Sequence, residues 1–308
     1  MSTLIIKSGG AAGFAEWQRH FAELAPGLTT LFWDEARDAD YALVWDPEPG
    51  RLAAMPSLRC IFGAGAGVDG ITRDPDWPRH IPLVRMTPEG ASQRMAEYVG
   101  WAALHLIRGG RRMALQQARA AWEDFDHPSA PDVRVGIMGL GVMGARVAQV
   151  LAALGFPVMG WSRRPKGLAG VDEFTGDDGL AAMLARTDML ICLLPATAAT
   201  RRILDARLLA QLPRGAMLIN AARGWHQELN DIIAALDSGQ LSQAVLDVFD
   251  PEPLPAESPA WAHSKLTITP HVASLPTRRE RAAFVARQIA LLEAGGQVGP
   301  LYDPEHGY

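Results

Sequence analysis

The 308-residue chain has little cysteine, no surplus of positive charge and no long apolar run. Its two cysteines, Cys60 and Cys192, lie in apolar strand-like stretches, which favours buried thiols in a reducing cytoplasm over a disulfide. A formal net charge of −5 argues against nucleic acid as the main partner. Because no apolar run approaches about 18 residues and the N-terminal apolar stretch is too short for a secretion signal, we expect no membrane partner and a cytoplasmic location.

Short apolar runs alternate with amphipathic segments along most of the chain, a pattern typical of parallel α/β proteins. The runs predict strands at 4–6, 42–45, 59–62, 81–86, 133–138, 156–161, 189–194, 217–220, 244–249 and 266–269. The helical spacings predict helices over 14–24, one long helix from 96 toward 112, and helices over 147–154, 229–236 and 280–292.

A glycine motif follows the apolar run at 133–138. Gly139, Gly141 and Gly144 have the G-x-G-x-x-G spacing, and an amphipathic helix follows them. In such a turn the first glycine permits the tight bend, the second lets the backbone approach a pyrophosphate, and the third lets helix and strand pack closely. The motif in this βαβ context predicts a dinucleotide site; a glycine turn that binds nothing is the alternative.

The end of the next strand indicates which dinucleotide is bound. NAD sites place an acidic residue about 20 residues beyond the glycines, where it binds the ribose hydroxyls. Here the position holds Ser162, Arg163 and Arg164, with Lys166 close behind, and no carboxylate. Hydroxyl and guanidinium groups bind a 2′-phosphate that a carboxylate would repel, so the sequence favours NADPH, with NADH as the weaker alternative. A solvated basic turn is the other interpretation.

The order of elements predicts two domains. The last helix follows the final strand too late to belong to the nucleotide sheet, so we expect it to return to the first domain. The prediction is a domain formed by 1–96 and 275–308 and a dinucleotide domain formed by 97–274. In the first domain, the loop at 63–69 has almost no side chains before Val68, so it either presents backbone N–H groups to a small carboxylate or is a flexible turn.

Several motifs resemble the D-2-hydroxyacid dehydrogenase family in order and spacing over nearly the whole chain. They lie at 65–69, 139–144, 221–224, 246–255 and 269–271. Within the family the chain is most similar to the glyoxylate/hydroxypyruvate reductase A branch, on the residues at 44–45, 65–69, 161–163, 258–261 and 307–308. The resemblance implies an α/β fold: a Rossmann-type doubly wound parallel sheet plus a smaller, discontinuous flavodoxin-like substrate domain.

The resemblance also implies that Arg223, Glu252 and His271 are catalytic, and the chemistry needs these residue types. His271 can give a proton to the carbonyl oxygen of a 2-oxo acid, because imidazole titrates near physiological pH. Glu252 would bind the other ring nitrogen, and Arg223 would bind the substrate carboxylate and polarise the carbonyl. Taken singly, each has an ordinary alternative: a capped loop histidine, a solvated glutamate and an Arg-Gly helix start.

The remaining predicted site residues fall into two sets. The cofactor set is Gly139, Gly141, Val142, Met143, Gly144, Ser162, Arg163, Arg164, Leu194, Pro195, Ala221, Ala222 and Asp247, the last implied by the resemblance to hold the nicotinamide amide, or else a simple strand-terminal turn. The substrate set is Trp45, Ala66, Gly67, Arg223 and His271, with Trp261 also near the family's substrate site; core packing is the alternative for both tryptophans. No metal is expected.

The expected reaction is NADPH-dependent reduction of glyoxylate or hydroxypyruvate to glycolate or D-glycerate, in an enzyme that resembles a homodimer-forming family. The alternatives are an NAD-dependent dehydrogenase of the D-lactate or phosphoglycerate type and a nucleotide-sensing scaffold without catalysis. The chain departs from the common family pattern at Trp225, His226 and Gln227, directly after the predicted catalytic arginine. The role of His226 is open.

Overall fold

The structure is a computed structural model that describes residues 1–88 and 90–304. The chain divides into two compact units, Met1–Glu89 with Leu275–Tyr308, and Gly90–Ser274. The second unit begins at Gly90, directly before the helix Ala91–Ile107, which the predicted boundary at 97 would divide. The predicted roles of the two domains stay predictions. Within the described part of the chain, no helix combines the length and the apolar character needed to cross a bilayer.

The strands and helices are short. The strands are β1 Thr3–Lys7, β2 Thr29–Phe32, β3 Tyr41–Val44, β4 Cys60–Gly63, β5 Leu83–Val84, β6 Val135–Met138, β7 Val158–Trp161, β8 Val171–Phe174, β9 Met189–Cys192, β10 Ala216–Asn220, β11 Leu241–Leu246 and β12 Leu266–Ile268. The α-helices are α1 Gly10–Leu24, α2 Asp69–Thr72, α3 Ala91–Ile107, α4 Gly110–Ala118, α5 Val142–Ala153, α6 Gly176–Leu184, α7 Ala206–Leu209, α8 Leu229–Ser238 and α9 Arg278–Glu293.

The first unit is a five-stranded parallel sheet with the order β2-β1-β3-β4-β5, which is the flavodoxin-like order. Helix α1 buries Trp17 and Phe21 in the core of this sheet. The same core contains Phe284 and Val285 of α9, so the last helix packs in the unit formed by the start of the chain. An apolar stripe among the arginines of α9 accounts for this return.

The second unit is a seven-stranded parallel sheet with the order β12-β11-β10-β9-β6-β7-β8. The strand order reverses at β6, where β7 lies on one side and β9 on the other, as in a doubly wound sheet. Every residue of β6, β9 and β10 is buried, as expected for strands covered on both faces. Ligands of such sheets bind beyond the carboxyl ends of the strands beside the reversal.

One predicted helix is wrong in extent. The long helix expected from 96 toward 112 is two helices, α3 and α4, separated at Gly109, which has a left-handed φ of 64°. Without a Cβ, glycine adopts this conformation at little cost, and it ends the helix. The prediction of buried thiols is confirmed: Cys60 and Cys192 are free, lie in different units, and burial raises the pKa of each thiol to about 12.

Candidate active site

The register of the second sheet places the ends of its strands in one row. Met138 of β6 pairs with Cys192 of β9, which pairs with Asn220 of β10. Asn220 in turn pairs with Leu246 of β11, which pairs with Ile268. The loops that follow these strands carry the glycine motif, Pro195, Arg223, Glu252 and His271, so parallel register brings residues far apart in the sequence to one edge.

The glycine turn has the geometry that its motif predicts. Gly139 has a φ of 104°, and a Cβ there would lie 2.7 Å from the carbonyl oxygen of Leu193. A Cβ on Gly144 would overlap the carbonyl oxygen of Gly139, whereas a Cβ on Gly141 would meet nothing within 4 Å. Two glycines are therefore required by the packing of the turn itself, and the third leaves open space at the start of α5, as an approaching pyrophosphate requires.

The basic turn after β7 has an internal framework that its sequence does not reveal. Ser162 is buried and its hydroxyl donates to the carbonyl oxygen of Arg164 at 2.7 Å, while the side chains of Arg163 and Arg164 are exposed. Glu173 of β8 accepts hydrogen bonds from the backbone N–H groups of Lys166 and Leu168. These backbone bonds lower the pKa of Glu173, so an ionised carboxylate holds the loop that carries the cations.

His271 and Glu252 form the central pair of the site. His271 Nδ1 lies 2.7 Å from Glu252 Oε2, and Glu252 Oε1 accepts the backbone N–H of Phe249 at 2.9 Å. Burial alone would raise the pKa of Glu252, but the hydrogen bonds from His271 and Phe249 and the charge of Arg223 lower it below its usual value. The carboxylate is therefore ionised, Nδ1 is the donor to it, and Nε2 is the ring nitrogen directed away from the pair.

Asp247 holds the loop that carries His271. Its carboxylate is 1% exposed and accepts the Thr269 hydroxyl at 2.6 Å and the backbone N–H groups of Val272 and Ala273 at 2.9 Å. The N–H of His271 donates to the carbonyl oxygen of Asp247 at 2.8 Å. His271 has a φ of 54°, uncommon for a residue with a side chain, and these bonds maintain it. The predicted contact of Asp247 with a nicotinamide amide stays a prediction.

Arg223 lies at a tight turn that packs against the Glu252 loop. The turn follows β10, and Arg223 Nη1 donates to the carbonyl oxygen of Ala222 at 2.7 Å. A Cβ on Gly224 would overlap the backbone of Phe249 and Asp250. The two loops thus touch backbone to backbone, and the charge of Arg223 reaches Glu252.

The other predicted cofactor residues line the same edge. Leu194, Ala221 and Ala222 are buried, Met143 packs on the core, and Val142 is largely exposed at the start of α5. The carbonyl oxygen of Pro195 accepts from the Thr200 hydroxyl at 2.7 Å and lies 3.1 Å from His226 Nε2. His226 is fully buried, and through this contact its ring connects the turn after Arg223 to the loop that follows β9.

The other predicted substrate residues, Trp45, Ala66, Gly67 and Trp261, lie in both units and have different surroundings. In the first unit, Trp45 packs so closely on the 63–69 loop that a Cβ on Gly65 would overlap its ring. The carbonyl oxygen of Ala66 accepts from Arg85 Nε at 3.1 Å, and no residue between 63 and 68, Gly67 included, has a positive φ. In the second unit, Trp261 is half-exposed and donates to the carbonyl oxygen of Pro255 at 2.9 Å. Neither tryptophan is an ordinary core residue.

Sequence reasoning gave no role to three side chains that organise the site. Glu173 belongs to a polar edge strand without a recognisable pattern, and Asn220 and Gln227 lack a motif of their own. Asn220 is the one polar residue at the end of the apolar run 217–220, and it lies three residues before Arg223, a signal that sequence reasoning could have used. Among residues 1–88 and 90–304, no group of three or more His, Cys, Asp or Glu side chains is arranged to hold a metal.

Comparison with known proteins identifies the family. Residues 101–273 match the model of the D-isomer specific 2-hydroxyacid dehydrogenase, NAD binding domain. Over 301 residues the chain is 42% identical to glyoxylate/hydroxypyruvate reductase A of Salmonella paratyphi B, covering 96% of each chain. The chain belongs to the D-isomer specific 2-hydroxyacid dehydrogenase family. The predicted family, its branch and the fold class are thereby confirmed, although residues 307–308, which contributed to the resemblance, lie outside the described residues.

Two solved structures are similar to this 2-hydroxyacid dehydrogenase over its whole length. One is the NADPH-dependent glyoxylate/hydroxypyruvate reductase of Sinorhizobium meliloti in complex with NADP and sulfate, with a TM-score of 0.90, 37% identity and 100% coverage of both chains. The other is a D-isomer specific 2-hydroxyacid dehydrogenase of Xanthobacter autotrophicus Py2 in complex with NADPH and MES. It has a TM-score of 0.90 and 37% identity over 100% of this chain and 99% of that chain.

Proposed function

We propose that this 2-hydroxyacid dehydrogenase reduces glyoxylate and hydroxypyruvate to glycolate and D-glycerate with NADPH. The observation that carries the proposal is the His271–Glu252 pair at 2.7 Å, at the sheet edge that also holds the glycine turn and Arg223. A half-buried acid–base pair beside a dinucleotide turn is suited to proton transfer that accompanies hydride transfer. The names of the Salmonella and Sinorhizobium relatives support the substrate class.

The turn and the basic loop fit NADPH. The open space at Gly141 and the free start of α5 suit the pyrophosphate, and the exposed side chains of Arg163 and Arg164 beside Ser162 suit a 2′-phosphate. Bound NADPH supplies the hydride for the carbonyl carbon. The complexes of the two solved relatives with NADP and NADPH support the choice of the phosphorylated cofactor.

Three side chains divide the remaining work. Because the ionised Glu252 accepts from Nδ1, Nε2 is the ring nitrogen that faces the substrate. In the imidazolium form Nε2 carries a proton and donates it to the carbonyl oxygen. Arg223 offers a fork of donors to the substrate carboxylate and carbonyl oxygen, and stabilises the negative charge that develops there. The predicted substrate contacts of Trp45, Ala66 and Gly67 stay predictions, as do the homodimer and the cytoplasmic location.

Following the absorbance of NADPH and NADH with glyoxylate, hydroxypyruvate, pyruvate and phenylpyruvate tests the proposal. We expect the highest kcat/KM with NADPH and either glyoxylate or hydroxypyruvate. Preference for NADH with pyruvate would indicate a D-lactate type dehydrogenase instead. No turnover with any of the four acids would leave a nucleotide-binding scaffold as the better interpretation, and the pairing of His271 with Glu252 argues against that outcome.

A further inference from the structure

A buried amide lies four residues beyond the predicted catalytic arginine. Gln227 follows the short turn Gly224–His226 and is 8% exposed. A primary amide carries two donor hydrogens and an acceptor oxygen, and burying them without partners costs free energy. The partners of Gln227 therefore indicate why a polar residue occupies this buried position.

The partners form one chain of hydrogen bonds from β10 to β11. Asn220 Oδ1 accepts the N–H of Ala222 at 3.1 Å, and its Nδ2 donates to the carbonyl oxygen of Arg223 at 3.1 Å and to Gln227 Oε1 at 2.8 Å. Gln227 Nε2 donates to the carbonyl oxygen of Val248 at 3.0 Å. Backbone groups at both ends determine the direction of every bond, so the side chain at 227 must accept on one side and donate on the other.

The chain connects the two loops that carry the proposed active-site residues. Asn220 ends β10 and leads into Arg223, while Val248 follows β11 and leads into Glu252. The backbone of Gly224 already packs against Phe249, whose N–H donates to Glu252 at 2.9 Å. A bond across this contact therefore sets how the arginine loop lies against the glutamate loop.

We propose that Gln227 is a positioning residue that, through Asn220 and the carbonyl of Val248, holds the Arg223 turn in register with the Glu252–His271 pair. The inference rests on the proposed function, because it assigns Arg223 to the substrate and Glu252 with His271 to the proton. Gln227 itself touches neither substrate nor cofactor. Its loss displaces Arg223 relative to His271, and a displacement of about 1 Å in an active site can reduce the rate by about 100-fold.

Two substitutions of Gln227 test the positioning role in different ways. Gln227→Met keeps the length of the side chain and removes both hydrogen bonds. Gln227→Glu keeps the acceptor for Asn220, but its ionised carboxylate has no proton for the carbonyl oxygen of Val248. When protonated, the same carboxyl group both accepts and donates, so it reproduces the bonding of the amide. Burial favours the protonated form, which brings the transition toward the pH range of the assay.

The chain offers a matched control at Gln240. Its Nε2 donates to the carbonyl oxygens of Leu209 and Leu212 at 2.9 and 3.0 Å in the same unit. Gln240 precedes β11, whereas Val248 follows it, so the two glutamines lie at opposite ends of that strand, about 20 Å apart at 3.3 Å per residue. Gln240→Met thus removes two similar bonds to the backbone without touching the site.

The experiment compares kcat and KM for glyoxylate, the dissociation constant for NADPH and the Tm of all three variants with those of the wild type. We expect Gln227→Met to lower kcat/KM by about tenfold or more, with NADPH binding retained, and Gln240→Met to lower Tm alone. For Gln227→Glu, the ratio of its kcat/KM to that of the wild type at the same pH rises as the pH falls. That ratio removes the pH dependence of the proton donor itself.

Each outcome decides a separate question. If the wild type is active and folded Gln227→Met has the same kcat/KM, the positioning role is overturned and the proposed function is left intact. If Gln227→Met does not fold, a pH-independent ratio for Gln227→Glu overturns it. A wild type that reduces none of the 2-oxo acids overturns the proposed function, and the positioning role with it.

Discussion

Replacing Glu252 by glutamine should reduce kcat/KM by about fivefold. The carboxylate lies 2.7 Å from His271 Nδ1, and a hydrogen bond to a charged group contributes about 1.5–3 kcal/mol. The side chains are 31% and 34% exposed, so solvent screening places the effect toward the lower part of that range, about 2 kcal/mol. Glutamine still accepts the hydrogen bond but lacks the charge, so the loss is the difference between a charged and a neutral hydrogen bond, about 1 kcal/mol. This difference corresponds to about fivefold in kcat/KM.

The assay is the pH profile of kcat/KM for glyoxylate reduction with NADPH. Because reduction consumes a proton from His271, the alkaline limb of the profile should move to lower pH in Glu252→Gln, while NADPH binding is unchanged. Asp237→Asn is the matched control, since it removes the carboxylate 3.3 Å from His263 Nε2 in the same unit. An alkaline limb at the wild-type pH in Glu252→Gln would refute the pairing as the source of the proton donor.

Three further predictions concern other parts of the chain. Gly144→Ala places a Cβ on the carbonyl oxygen of Gly139, so we expect about 1–3 kcal/mol of destabilisation and much weaker NADPH binding, measured by Tm and titration. The double substitution Arg163→Ala, Arg164→Ala should lower the NADPH-to-NADH ratio of kcat/KM by about tenfold or more. Glu48→Gln should cost about 1 kcal/mol near neutral pH, after a discount for its exposure.

The pH dependence at Glu48 has a definite sign. Burial raises its pKa, but the hydrogen bonds of Lys7 and Trp33 lower it from 4.5 to about 2. Because the folded-state pKa is the lower one, the stabilisation is complete above pH 4.5 and is lost as the pH falls toward 2. The difference in stability between wild type and Glu48→Gln should therefore shrink over that interval, and a constant difference would contradict the assignment.

Controls separate these predictions from general damage. Gly170→Ala alters a glycine with open space around it and a φ of 75°, so it tests backbone strain without a steric clash in the cofactor turn. Arg186→Ala removes another exposed arginine of the same unit and should leave the cofactor ratio unchanged. A cofactor ratio that is equal in Arg186→Ala and in the Arg163 and Arg164 double variant would show that the 2′-phosphate is bound elsewhere.

Local pattern was sufficient for much of the fold. The apolar runs at 133–138, 189–194 and 217–220 became β6, β9 and β10, because strands covered on both faces must be apolar throughout. Strands β2 and β8 were not predicted, because they lie at sheet edges and their buried and exposed residues alternate only weakly. The break between α3 and α4 was missed because an isolated glycine is tolerated within many helical patterns.

By itself, the sequence determined the fold class, the family and the cofactor turn, since the glycine spacing and the strand–helix alternation are properties of neighbouring residues. Only the tertiary structure decided which side chains and backbone groups the site residues bind. Glu252 lies against His271, Asp247 holds the histidine loop, and Gln227 links the arginine loop to the glutamate loop. These hydrogen bonds depend on the register of four parallel strands, and register is set by packing between segments that are distant in the sequence.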